Sequence, residues 1–199
     1  MRNLSVASYS GWVTKPYHHG NLRRALLAAA AEAIAESGPA AVSLRDLARR
    51  AGVSHAAPAH HFGDKAGLLA ALATEGYDRL ADALDAARIR TGSILEVGVA
   101  YVRFAVDNRA HFDVMFRPDL YPAGDPGLAA AQDRATAALA AAVATLPAQT
   151  VKPEDAQTAG LSAWSIVHGF ATLWLSNAFP PILGDDPEAA ARGVIRRLF

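Results

Sequence analysis

Apolar positions along this chain recur at three- and four-residue spacing and almost nowhere alternate, a helical period with no convincing strand. Leu22, Leu26, Ala30 and Ile34 fall on one face of a first helix, capped by Asn21 and stopped at Gly38-Pro39. Ser43 followed by Asp46 resembles a capping box, and Leu44, Leu47 and Ala48 form the buried stripe of a short second helix ending at Gly52. Val53 then plugs the inter-helix contact and Ser54 caps a third helix running to about His61. Asp64 caps a long fourth helix through about Ala87, with Leu68, Leu72, Leu80 and Leu84 on its inner side. Further helices are expected over 93–108, 110–116, 126–146, 154–176 and 187–198, punctuated by Pro118, Pro122, Gly124, Pro147, Pro153, Pro180, Pro181 and Gly184. The expected fold is all-α with about nine helices: a mobile arm over 1–20, a three-helix head over 21–66 and a helical body over 67–199.

The chain has 199 residues, 52% of them hydrophobic and 19% charged, which suits a packed globule rather than a disordered segment. Zero cysteine excludes disulfide scaffolds, zinc ribbons and thiol catalysis. No uninterrupted apolar run approaches the roughly 18 residues that span a bilayer. The start, from Arg2 to Thr14, lacks the compact apolar stretch of an export signal, so a cytoplasmic location is expected. The formal net charge of zero hides an asymmetry: through residue 65 there are eight Lys and Arg against four Asp and Glu, so the remainder is acidic. Five of the seven histidines, His18, His19, His55, His60 and His61, also fall in this basic part. A basic head on an acidic body points to a polyanion at one end, although ordinary fluctuation of surface charge gives the same pattern.

Two short helices joined by a glycine turn let the second enter a DNA major groove while the first braces it, and Arg45, Arg49, Arg50, His55, His60 and Lys65 supply charge for such docking. The same hairpin also occurs as a plain packing motif. Residues 21–72 add a specific combination: the alanine-rich first helix, Gly38, Ser43, "LARRAGVS" from Leu47 to Ser54, His61-Phe62, and Lys65 three places before Leu68. This segment resembles the DNA-binding head of the TetR family of bacterial repressors. "AWSIVHGFATLW", with Trp164, His168 and Gly169, together with "YHHGNLR" at 17–23 and "NRAHFDVMF" at 108–116, resembles a subgroup with a Trp-His-Gly body. The resemblance implies an all-helical homodimer with a helix-turn-helix head and a body that binds a small-molecule effector. It places Ser43, Arg45, Ser54, His55, Ala56, Ala57 and His60 against DNA and Lys65 on a phosphate. A cation beside the free N–H groups of a helix start is itself an anion site, which agrees for Lys65.

One departure weakens the match: Ala59 stands where the family commonly carries a tyrosine that meets the DNA backbone. Pro58, four residues after Ser54, removes a regular helix hydrogen bond and predicts a tight first turn. Ala56 and Ala57 offer only methyl groups to a base, leaving His55 and His60 the polar readout.

In the body, Phe104, His111, Phe112, Met115, Phe116, Trp164 and His168 are the candidate effector residues, with Phe170 beside them; taken singly, each is more often core than pocket, and the resemblance implies that some of them border a ligand space. His111 and His168 are the preferred polar contacts, and Gly169 is read as a point of close helix approach. The dimer face is expected on the helix at 154–176 and the last helix, through Ala156, Ala159, Gly160, Ala163, Ala171 and Val194, with Leu175 and Leu198 adding burial. No cofactor, metal or catalytic residue is expected: adjacent histidines on a helix diverge, and neither a phosphate loop nor a nucleophile elbow occurs. Two rivals stay open, a helical sequestering protein whose head has lost DNA affinity and a small enzyme using His111 or His168.

Overall fold

The computed structural model describes residues 19–147 and 151–197. The expected arm up to His18, the side chain of Asn21 and Leu198 lie outside the described residues. Nine α-helices and no strand occur among the described residues: α1 (His19–Ala41), α2 (Leu44–Arg50), α3 (Ala57–Phe62), α4 (Lys65–Thr91), α5 (Ile94–Asp107), α6 (Arg109–Met115), α7 (Pro126–Val143), α8 (Ala156–Leu175) and α9 (Pro187–Ile195). Short 3₁₀ turns sit at Pro118–Leu120, Pro153–Asp155 and Pro181–Leu183.

The helix starts follow the local chemistry. Ser43, Asp64, Ser93, Asp125 and Asp186 each accept a hydrogen bond from a backbone N–H of the first turn that follows. Gly38 interrupts α1 with φ of 76°, so the regular helix ends where the Gly-Pro pair predicts and Pro39–Ala41 form one further turn. α4 runs four residues beyond Ala87 because its stop is Gly92, in the left-handed region at φ 62°, whose N–H bonds the Arg88 carbonyl. The cap expected at Ser54 is not formed. α3 begins at Ala57 after a turn in which the Ala57 N–H reaches the Ser54 carbonyl at 3.0 Å, and Pro58 sits in the first helical turn, where its missing N–H costs nothing.

α1, α2 and α4 bury Leu26, Ile34, Leu47, Leu68 and Leu72 against one another. α4 then continues into the body, where it packs most extensively on α7 and also on α5 and α6, while α5 packs on α8 and α9. Head and body share one continuous apolar cluster, because α1 also lies against α6. Gly76 makes the α4–α6 crossing close: a Cβ there would lie 2.6 Å from Met115 Sδ.

α8 turns a different face inward from the one expected. Ala163 and Ala171 are buried in the chain's own core, and Ala156 and Gly160 border a cavity of the body. The outward face carries Thr158, Leu161, Ser162, Ser165, Thr172 and Leu173. Gly169 is not a close-approach point within the chain, since a Cβ there would meet nothing within 4 Å.

Candidate nucleic-acid interface and helical cavity

The three arginines of α2 have separate roles. Arg50 donates two hydrogen bonds to the Glu36 carboxylate at 2.7 and 3.0 Å and one to Asp46 at 2.7 Å, bracing α1 against α2. Arg49 donates to the other Asp46 oxygen at 2.6 Å. The Arg50 guanidinium holds Glu36 below the usual carboxylate range, and Arg49 followed by Arg50 does the same for Asp46. Arg45, in the first turn of α2, is exposed and makes no ion pair or hydrogen bond among the described residues. Ser43, beside it, caps the helix by accepting from the Asp46 N–H at 3.2 Å.

Ser54, His55, Ala56, Ala59 and His60 are exposed along one side of α3 and its leading turn, whereas Ala57 is half-buried and Pro58 buried. Phe62 is half-buried against the core, with the Arg23 guanidinium 5.4 Å from its ring centroid. The seat of α3 on α4 is tight. A Cβ at Gly67 would lie 2.1 Å from the Phe62 carbonyl oxygen, and the Asp64 carboxylate accepts from the Gly67 N–H at 2.8 Å. Lys65 donates from Nζ to the Ala40 carbonyl at 2.6 Å, tying the start of α4 to the end of α1. One ammonium carries three donors, so this bond leaves others to an anion.

The body holds a cavity of about 420 Å³ between α4, α5, α7, α8 and the end of α6, partly open to solvent where Thr136, Ala140, Ala156, Gln157 and Leu161 are exposed. Its wall is Tyr77, Leu80 and Leu84 of α4, Tyr101 of α5, Phe116, then Gln132, Ala135, Thr136, Leu139 and Ala140 of α7, and Ala156, Gln157, Gly160, Leu161 and Trp164 of α8. The volume and mostly apolar lining are those of small-molecule sites. Of the seven effector candidates, Phe116 and Trp164 reach this wall. His168 stands one layer behind it, its Nδ1 2.9 Å from the Tyr101 hydroxyl, which also accepts from Trp164 Nε1 at 3.3 Å. Phe112 packs on His168 with ring centroids 5.2 Å apart. Phe104, His111 and Met115 are buried and take no part in the wall.

Burial raises the Tyr101 and Tyr77 hydroxyls above the ordinary phenol range, the latter partly offset by the Gln132 amide. Burial also lowers both His168 and His111, and for His111 the Arg79 charge adds to the shift. The Met115 carbonyl at the end of α6 accepts from two tyrosines, Tyr77 at 2.8 Å and Tyr121 at 2.7 Å. Tyr77, Tyr101, Gln132 and Gln157 escape sequence reasoning. Each is an isolated polar group in a segment read by its apolar stripe, and only the crossing of four helices collects them.

Residues 26–72 match the family described as bacterial regulatory proteins, tetR family, and residues 94–198 match the tetracyclin repressor-like C-terminal domain. A search of curated protein sequences gives no significant match. Among solved structures, a protein with unknown function from Rhodococcus sp. RHA1 is 34% identical, with 92% of this chain and 96% of that chain covered at a TM-score of 0.76. The TetR family transcriptional regulator PfmR from Thermus thermophilus is 27% identical over 85% of this chain and 93% of its own, at a TM-score of 0.65. AibR, solved in complex with isovaleryl coenzyme A and operator DNA, shares the fold at 21% identity and a TM-score of 0.64, with 89% and 98% covered. No described helix is long and apolar enough to cross a membrane. The helix-turn-helix head with its exposed third helix, joined to a cavity-bearing helical body, thus belongs to a member of the TetR family of bacterial regulatory proteins.

Proposed function

We propose that the chain is a ligand-responsive transcriptional repressor that binds a palindromic operator as a homodimer and leaves it when a small molecule fills the cavity. The observation that carries this reading is the continuity of α4. Its first turn, through Asp64 and Gly67, seats α3, and Tyr77, Leu80 and Leu84, beginning about 15 Å further along the same helix, wall the cavity. A ligand that spreads α4 from α7 and α8 therefore moves both recognition helices of a dimer, whose half-sites lie about 34–36 Å apart. Release requires that the ligand bind the spread arrangement better than the operator-bound one.

In this reading Ser43, Arg45, Ser54, His55, Ala56, His60 and Lys65 face DNA, with Ala57 contributing only the edge of its methyl group. Arg50 holds the head together rather than touching the operator. The functional division runs at the start of α4, with the head over 21–66 and the body over 67–199. AibR supports the reading as a protein of the same fold that holds both a ligand and operator DNA. The assignment to the Trp-His-Gly subgroup rests on the Trp164-to-Gly169 motif, in which Trp164 and His168 bind one tyrosine hydroxyl. No enzymatic role is proposed, since the cavity wall offers no acid–base pair, and the proposed site of action is the cytoplasm.

The dimer is proposed to form through the outward face of α8, with α9 and the exposed Ile182 beside it. Thr158, Ser162, Ser165, Gly169, Thr172 and Ser176 are all small and recur at four- and three-residue spacing, which lets a second helix approach closely. The test is binding of the purified protein to fragments of DNA flanking its own gene at fixed moderate salt. Selective binding that Arg45→Ala weakens about tenfold, with the salt slope reduced by about one, is expected. Absence of selective binding at every fragment counts against the regulator and leaves the sequestering protein.

A further inference from the structure

We infer that the cavity selects an uncharged, largely apolar ligand and that it rejects carboxylates and other anions of the same skeleton. This deepens the proposed effector site and rests on that reading. Among the described residues that line the cavity there is no Asp, Glu, Lys, Arg or His. The titratable groups among them are Tyr77 and Tyr101, with His168 behind the latter.

The nearest cation on α7, Arg134, is held on the far side by ion pairs to Asp78 and Asp82 of α4. An anionic head thus finds no counter-charge on the described wall, and a charge taken from water without a partner is strongly disfavoured.

The polar groups of the wall serve a neutral partner of either polarity: the Tyr101 hydroxyl, which accepts from the Trp164 indole N–H and shares a hydrogen bond with His168 Nδ1, the Gln132 and Gln157 amides and the Thr136 hydroxyl.

A carboxylic acid can enter only protonated. From an ordinary carboxyl pKa of about 4.3, that costs about 500-fold in affinity at pH 7 and about tenfold less for each pH unit removed. The probes are matched sets: decanol, decanoate and decylammonium, and butylbenzamide, butylbenzoate and butylbenzylammonium. Binding to the full chain without DNA is read by calorimetry and by indole fluorescence, since Trp164 is in the wall. Gly160→Phe localises the signal: Gly160 borders the cavity, and a Cβ there meets nothing within 4 Å, so the position has room for a side chain that narrows it. Gln132→Lys supplies the missing cation.

The expected result is that the neutral members bind and Gly160→Phe abolishes it. The carboxylates are then weaker by about two orders of magnitude or more at pH 7 and recover as pH falls, while the neutral affinities stay flat. Gln132→Lys raises carboxylate affinity at least tenfold. A charged member binding wild type within tenfold of its neutral partner at pH 7, or no neutral member binding at all, overturns the inference. An anion that binds tightly and releases DNA keeps the regulator while refuting the ligand class. Neutral binding that leaves DNA affinity untouched does the reverse.

Discussion

Replacing Gly67 by alanine sets two effects against each other. Gly67 lies in the first turn of a 27-residue helix, and helix propensity alone favours alanine there by about 1 kcal/mol. The new Cβ, however, lies 2.1 Å from the Phe62 carbonyl oxygen, and ordinary contact begins near 3.4 Å, so α3 or α4 must retreat by about 1.3 Å. The obstacle is backbone, which no rotamer change relieves. Overpacking of this kind costs about 1–3 kcal/mol or more, and loss of the Asp64 cap adds about 1. The clash wins, leaving a net loss of about 1–3 kcal/mol and a melting midpoint lower by roughly 2–12 °C. Gly160→Ala, on α8 with open space at its Cβ, shows the propensity term alone and is expected to raise the midpoint. Differential scanning calorimetry of both variants is the assay. A midpoint that rises for Gly67→Ala as it does for Gly160→Ala refutes the tight seating of α3 on α4.

Tyr101→Phe removes the hydroxyl shared by Trp164 and His168; with two bonds lost at about 0.5–1.5 kcal/mol each, destabilisation by about 1–3 kcal/mol is expected in denaturant titration. Burial places His111 and His168 below the ordinary histidine value, so the unfolded chain takes up protons first. Stability is therefore expected to fall as pH drops below about 6.5, at up to about 1.4 kcal/mol per pH unit for each histidine, and to flatten in part in His111→Gln. Ser165→Arg combined with Gly169→Arg on the outward α8 face converts the dimer to monomer, read by light scattering, while the cavity still binds neutral ligand.

How much of this was legible in the sequence varies with the physics. Caps and breakers are local, so Ser43, Asp64 and Gly38 fix helix ends that the structure reproduces. The missing Ser54 cap reflects a turn closed by backbone bonds instead. The orientation of α8 was not legible, because a helix rich in Ala, Gly and Ser has no dominant apolar stripe, and its inward side is chosen by what α5 and α7 present. For the same reason Phe116 and Trp164 were found as wall residues while Tyr101 and Gln132 were not. Aromatic clusters announce a core, but a cavity is defined by where the packing of several helices fails to close.

The central claim is that one helix couples the cavity to the head, and equilibrium coupling tests it most directly. Affinity for a selected operator fragment is measured at fixed salt with and without a saturating neutral cavity ligand, in wild type and Gly160→Phe. The account predicts weakening by about 5–150-fold in wild type, a reciprocal loss of ligand affinity on DNA, and no effect in the blocked variant. Equal operator affinity with the cavity of the wild-type protein empty and filled contradicts it.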